Sequence, residues 1–504
     1  MAGVGFELKK LFSKKGLLAG FKAYGYSSLI CAGPMLLGVI LLLGILMLCN
    51  HFGRARFDRE LLVCMVTYTL LTSLVITSFF SMPLTRYIAD MLYEEKKEMV
   101  LSSFWGSAGI MLSIGCLAYA VFLLFSGATL LQGFFCFIFF GELIITWNAT
   151  SYLTAIKDYR GIMLSLAAAI AIALVLSGIL LYFGAPTVES VLFSVTVGYG
   201  VMLFWHMILL YRYFPQGETS AFFFLKWIDR FMPLAFTGLF TTIGLMSHLV
   251  IMWMGPLQVQ VKGLWVGAPF HDVPALLAYM TTLITTVNFV VSVEVNFYPK
   301  YRNYYSLFND KGTVGDILQA EKEMLAVMKN ELWYTALKQL FTTMACISLS
   351  DLLLSHVPLG FNDLMFGYFR TLCVGYGLYA VANMLMLILL YFTDYKGSVM
   401  ATGAFAVTST VLTIISLFFP AEYYGWGFVM GSIVFFLYAI IRLNYYTKHL
   451  PYYILAAQPI VAEDKTGRFE RAGEFLSSHL ETDWMHNVLW AGFHRLGIKE
   501  NNKK

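Results

Sequence analysis

Long apolar runs without a single charge constrain this chain more than any other feature. Residues 27–49, 104–125, 162–183 and 400–419 are uninterrupted in this way. Each matches the roughly 20 residues that a helix needs to cross about 30 Å of hydrocarbon. Only 13% of the 504 residues are charged, against about 25% in an ordinary soluble domain. Such a chain has too little polar surface to fold in water, so an all-α polytopic membrane protein is expected. Spans fall near 27–49, 61–82, 103–125, 129–149, 161–183, 190–211, 231–254, 273–297, 333–354, 367–392, 397–419 and 423–441. The first is too long for a signal h-region, and Asn50-His51-Phe52-Gly53 offers no small-residue cleavage site. It is expected to be retained.

Charge sets the orientation. Arg54, Arg56, Arg59 and Lys262 fall on one side, and Lys338 and Arg370 fall within spans. The other 28 of the 34 Lys and Arg lie on the side of both termini. The positive-inside rule makes that side cytoplasmic. The seven cysteines are scattered without CxxC spacing, so no metal site or disulfide framework is indicated. Outside the spans, 1–24 carries Phe6, Leu11, Leu17, Leu18 and Phe21 among five lysines, as an amphipathic helix on anionic lipid would. A surface helix is expected over Ile317–Met328, leading into the ninth span. In the tail 451–504, Phe475, Leu476, Leu480, Trp484, Val488 and Phe493 recur at roughly helical intervals. They suit either an interfacial helix or docking to a partner protein.

An internal repeat divides the spans. Lys157-Asp158-Tyr159-Arg160-Gly161 follows the fourth, and Thr393-Asp394-Tyr395-Lys396-Gly397 follows the tenth. Pro83-Leu84-Thr85-Arg86-Tyr87 loosely matches Pro299-Lys300-Tyr301-Arg302, and Gly33-Pro34-Met35-Leu36 matches Met232-Pro233-Leu234. Two lobes of six spans, 25–215 and 216–450, would be related by a pseudo-twofold axis along the membrane normal, with a cavity between them. The Asp158/Arg160 and Asp394/Lys396 loops then read as tight turns with basic anchors, with gating as a further possibility.

Ionisable residues at membrane depth mark pathways or buried pairs. Glu142, Glu294, Lys338 and Arg370 lie within spans, while Arg86, Asp229 and Arg230 lie near span ends. Snorkelling accounts for the arginines at span ends. Glu142 or Glu294 could bind a coupling cation, or Glu142 could pair with Arg370 across the lobes. Aromatic residues, Tyr304 and Tyr305 included, are read mainly as interfacial belts. No GxxxxGK[ST], HExxH, GxSxG or EF-hand pattern occurs. No soluble segment reaches domain size, so catalysis, a cofactor and a nucleic-acid partner are not expected.

The opening Met1-Ala2-Gly3-Val4-Gly5-Phe6-Glu7-Leu8-Lys9-Lys10-Leu11, with Ala23-Tyr24-Gly25-Tyr26 and Ala32-Gly33-Pro34, resembles the membrane transporters of the Pel exopolysaccharide system. Those belong to the polysaccharide-transporter branch of the multidrug/oligosaccharidyl-lipid/polysaccharide flippases. The resemblance implies two six-helix lobes around a cavity and export of an N-acetylgalactosamine-rich polysaccharide during biofilm formation. It also implies a cytoplasmic glycosyltransferase, a cyclic-di-GMP-sensing membrane subunit and a scaffold-like membrane subunit as partners. An ion-coupled flippase of lipid-linked oligosaccharide or small molecules, or a non-transporting anchor for the synthase, would fit the same spans.

Overall fold

A computed structural model describes residues 38–156, 158–215, 217, 220–309, 312–355, 360–456 and 467–480. The N-terminal segment 1–24, the Gly33-Pro34 element and the tail beyond 480 lie outside the described residues. So does the side chain of Glu294.

The first six spans correspond to α1 (Gly38–His51 in its described part), α2 (Arg56–Tyr93), α3 (Glu98–Phe125), α4 (Leu130–Ile156), α5 (Tyr159–Tyr182) and α6 (Thr187–Tyr213). A short α7 (Leu225–Arg230) leads to α8 (Met232–Met252) and an antiparallel hairpin, β1 (Val259–Lys262) with β2 (Trp265–Gly267). The eighth span is broken into α9 (Pro269–Tyr279), a 3-10 turn, α10 (Leu283–Ser292), a π-helical turn at Val293–Phe297 and α11 (Tyr298–Asn309). Then come α12 (Val314–Ser348), α13 (Ser350–Ser355), α14 (Asp363–Tyr391), α15 (Tyr395–Ser416), α16 (Trp426–Lys448), α17 (Leu450–Ala456) and α18 (Arg468–Leu480). Among the described residues, ten helical segments are long and apolar enough to cross a membrane. The remaining two of the expected twelve are α1, short in its described part, and α12, whose first half carries Asp316, Glu321, Lys322, Glu323 and Lys329.

Packing repeats across the two halves. Helix α5 packs on α6 as α15 packs on α16, and α4 lies on α6 as α14 lies on α16. Small residues make both contacts close: Gly198 faces the Ala169 backbone, and Gly427 and Gly431 face Thr413 and Ser409. Without a hydrophobic drive between helices in lipid, such close approach supplies the association. One apolar core runs from Leu41 to Ile228, and two others lie between Leu245 and Leu450. The chain is therefore two helical lobes.

The repeat loops are matching caps. Asp158 and Asp394 take nearly the same backbone angles, φ −83°, ψ 63° and φ −79°, ψ 68°. Each accepts a hydrogen bond at Oδ1, from the N–H of Gly161 at 2.9 Å and of Gly397 at 3.0 Å. A Cβ on Gly397 would collide with that carboxylate and with Arg442, which is why the loop ends in glycine. Asp394 also holds Arg442, at 2.6 and 2.9 Å.

One reading is corrected by this packing. Tyr304 is not in an interfacial belt: it is fully buried, because α11 continues past the span and folds back on α12 around Met324. The helix expected over Ile317–Met328 does lead into the ninth span, as one continuous α12. In the tail, α18 docks on the chain's own α7, with Lys226 paired to Glu470 at 3.1 Å and the Glu470 N–H donating to Asp229 at 2.7 Å.

The two caps should differ in strength. Asp158→Ala removes an N-cap, worth about 1 kcal/mol, whereas Asp394→Ala also takes both hydrogen bonds from the part-buried Arg442, which adds to that loss. Thermal unfolding in one detergent should show a clearly larger fall in Tm for Asp394→Ala. Equal losses would contradict this assignment.

Candidate functional site

The lobes meet along α2 and α8. In the first third of α8, Gly238 brings that helix onto the carbonyl of Ser78 in α2, where a Cβ would collide with it. Next to this contact lies a cavity of about 260 Å³, lined by Leu74, Thr77, Ser78, Ser81 and Leu84 of α2, Met111 of α3, Trp147, Asn148, Thr150 and Ser151 of α4, and Thr242 of α8. Its lining mixes hydroxyls and one amide with the larger apolar surfaces of Leu74, Leu84, Met111 and Trp147, and carries no charge.

The wall follows from helical spacing. Thr69, Ser73, Thr77, Ser81 and Thr85 recur every four residues as a slowly winding stripe on α2, and Thr77 and Ser81 from its middle line the cavity with Ser78. Thr77 and Thr85 donate to carbonyls four residues back, at 2.9 and 2.8 Å, and Ser81 to that of Ser78 at 3.2 Å. That satisfies the donors inside an apolar bundle and leaves oxygen lone pairs as acceptors. The Trp147 indole N–H donates to Ser73 Oγ at 3.1 Å, which fixes the ring. Asn148 donates through Nδ2 to Ser107 Oγ at 2.9 Å, while its Oδ1 is buried without a hydrogen-bond partner.

The far end of the seam, opposite the Asp158 and Asp394 loops, is closed by aromatic rings. Tyr68 of α2 stacks on Trp253, just beyond α8, with centroids 4.6 Å apart and planes at 11°. The hydroxyl of Tyr68 donates to the Val266 carbonyl at 2.9 Å. Trp265 of the hairpin is fully buried against Phe122 of α3. Gly263, at φ +54°, lets the hairpin turn lie against Gly127 while the Leu264 N–H donates to Ser126 at 3.1 Å. At the other end, the Trp227 indole N–H donates to Asp90 at 2.9 Å, and Arg86 pairs with Asp90 and lies over Phe231.

Among the described side chains, none of the ionisable residues singled out from the sequence lines the cavity. Glu142 sits inside the first lobe, where α4 faces Gly200 of α6, and its Oε2 is buried without a partner. Arg370 does not pair with Glu142 here: its guanidinium is bidentate to Asp351 at 2.8 and 2.9 Å. Lys338 donates to Asn288 Oδ1 at 2.5 Å and lies over Tyr334. Arg230 lies over Phe231. Sequence reasoning from charge passed over the hydroxyl face of α2, although its four-residue spacing was the available signal.

The fold has known relatives. The chain is similar to an outward-facing multidrug-resistance MATE transporter of the MOP superfamily, with 12% identity over 84% of this chain and 96% of that one and a TM-score of 0.58. It is similar to an inward-facing MATE transporter, with 13% identity over 91% of this chain and 100% of that one and a TM-score of 0.53. A third likeness is to a MOP-superfamily transporter from Pyrococcus furiosus, described as having a binding pocket of reverse polarity, with 13% identity over 84% of this chain and 96% of that one and a TM-score of 0.55. At these identities the likeness is one of fold. No curated protein matches the chain at a significant level. Residues 1–455 match the family PelG, described as "Putative exopolysaccharide Exporter (EPS-E)". With that match over most of its length and a transporter's two-lobed helical bundle, the chain belongs to the PelG family.

Proposed function

We propose that the chain carries a polysaccharide of the Pel type, rich in N-acetylgalactosamine, across the cytoplasmic membrane between its lobes. The observation that carries this reading is the uncharged cavity of about 260 Å³ beside the α2–α8 contact, where hydroxyls and an amide are set among apolar side chains. Sugar units present hydroxyls and amides with apolar ring faces. Hydroxyl oxygens of Thr77, Ser78 and Ser81 and the Trp147 ring match both aspects. A charged wall would bind a neutral polymer no better and would cost desolvation. The volume is below the roughly 300–1,000 Å³ of drug-sized sites, so the closed seam holds no more than about one sugar unit. Passage of a chain requires the lobes to part.

In this reading the face with the Asp158 and Asp394 loops is cytoplasmic and receives polymer from a glycosyltransferase, as in biofilm matrix formation. The cyclic-di-GMP-sensing and scaffold-like membrane subunits would assemble on the same chain. Membrane lipids surround the apolar helix faces.

Filling the cavity tests this. Thr242→Trp or Ser151→Trp should cut exported polymer at least about tenfold at normal protein level, a loss of some 1.4 kcal/mol or more in transport free energy, while Thr242→Ser stays near wild type. Export unchanged in both tryptophan variants would remove the cavity from the pathway.

The buried, unpartnered Oε2 of Glu142 favours a second reading, coupling of transport to a cation. Glu142→Gln should then slow export at unchanged protein level. If Glu142→Gln and Glu294→Gln both export normally, neither carboxylate is a coupling site.

A further inference from the structure

The densest set of unsatisfied buried polar atoms in the second lobe lies away from the cavity, near the far end of the seam. His248 is in the last turns of α8, and His271 and Asp272 are in the first turn of α9. His248 is 1% exposed and His271 is 0% exposed. The Nε2 of His248 lies 3.1 Å from the Tyr376 hydroxyl, but its Nδ1 has no partner. Both ring nitrogens of His271 lack partners, as does Asp272 Oδ1. The carboxylate oxygen is 3.7 Å from His271 Nδ1, too far for a hydrogen bond. Unsatisfied buried groups are costly and call for a reason.

The same carboxylate reaches the lobe contact. Its Oδ2 accepts from the Trp253 indole N–H at 2.8 Å and from the Ala268 N–H at 3.0 Å. Trp253 carries the ring that stacks on Tyr68 of the other lobe. Asp272 thus stands between a buried imidazole and the aromatic stack that closes the seam. Its side chain is 30% exposed, whereas that of His271 is sealed, so protons reach the imidazole past the carboxylate.

We propose that His271 and Asp272 form a proton-binding site that releases the far end of the lobe seam. A neutral imidazole has one donor and one acceptor, and the protonated ring has two donors. A proton on His271 therefore gives Nδ1 a hydrogen to donate toward Asp272 Oδ1, and the buried ion pair draws the carboxylate away from Trp253. Losing that acceptor frees the indole from the stack on Tyr68. The His248 ring lies 5.2 Å from that of His271, so like-charge repulsion allows only one of the two to carry the proton. The other titratable groups around this site are Tyr279 of α9, Tyr368, Tyr376 and Tyr379 of α14, Glu422 and Tyr424 beyond α15, and Cys64, Tyr68 and Glu60 of α2, the last paired with Arg56. The described residues contain no group of three or more His, Cys, Asp or Glu arranged to hold a metal ion, so a proton suits the site better than a metal.

The test needs no polymer, so its failure would leave the transport reading standing. Full-length protein in lipid nanodiscs carries orthogonal labels at Leu130, at the start of α4, and Phe418, just past α15, which are 96% and 85% exposed. Label distances are measured from pH 8 to pH 5. A longer distance should grow in as pH falls, and His271→Gln and Asp272→Asn should each lose that shift. Trp253→Phe, which keeps a ring but loses the donor, should show the longer distance already at pH 8. A wild-type distance that ignores pH, an unchanged shift in His271→Gln, or a closed seam in Trp253→Phe at pH 8 would each overturn the proposal.

Discussion

The contact between α2 and α8 governs the rest of the molecule. In lipid, helix association depends on close packing rather than on exclusion of water. Gly238 lets the α8 backbone reach the Ser78 carbonyl. That contact fixes Thr242 opposite the hydroxyl face of α2, and so forms the cavity. Beyond it the seam continues through Tyr68 and Trp253 to the hairpin. Most of the apolar core of each half lies within that half, so the halves can move as bodies while this line of contact, with Trp265 and Tyr68 at its far end, changes.

Much of the architecture was legible in the sequence because it follows from local physics. Spans are readable because hydrocarbon sets their length. The Asp158 and Asp394 loops were readable because a capping carboxylate followed by a glycine at the third helical position is a local motif, and both loops take the same backbone geometry. What joins distant segments was hidden. Arg442 as the partner of Asp394, 48 residues away, and the docking of α18 on α7 depend on tertiary packing. Tyr304 looked interfacial because nothing local signals that α11 turns back on α12.

The candidate site was the least legible part, for a physical reason. Intramembrane charges attract attention because they are expensive, yet Arg370 and Arg86 are accounted for by carboxylates nearby. A pathway for a neutral polymer needs hydroxyls and amides instead. These residues are cheap in a helix, since they can donate to their own backbone, and their spacing on α2 resembles ordinary packing until α4 and Thr242 are seen opposite.

The central claim is that polymer crosses between the lobes. It is tested most directly in vesicles with the Asp158 and Asp394 loops facing outward, containing this chain and supplied outside with the polymer-forming glycosyltransferase and its sugar donor. The account predicts polymer in the lumen, protected from an added glycosidase until detergent is present. Polymer that remains wholly digestible outside, with the complete assembly present and correctly oriented, would contradict it.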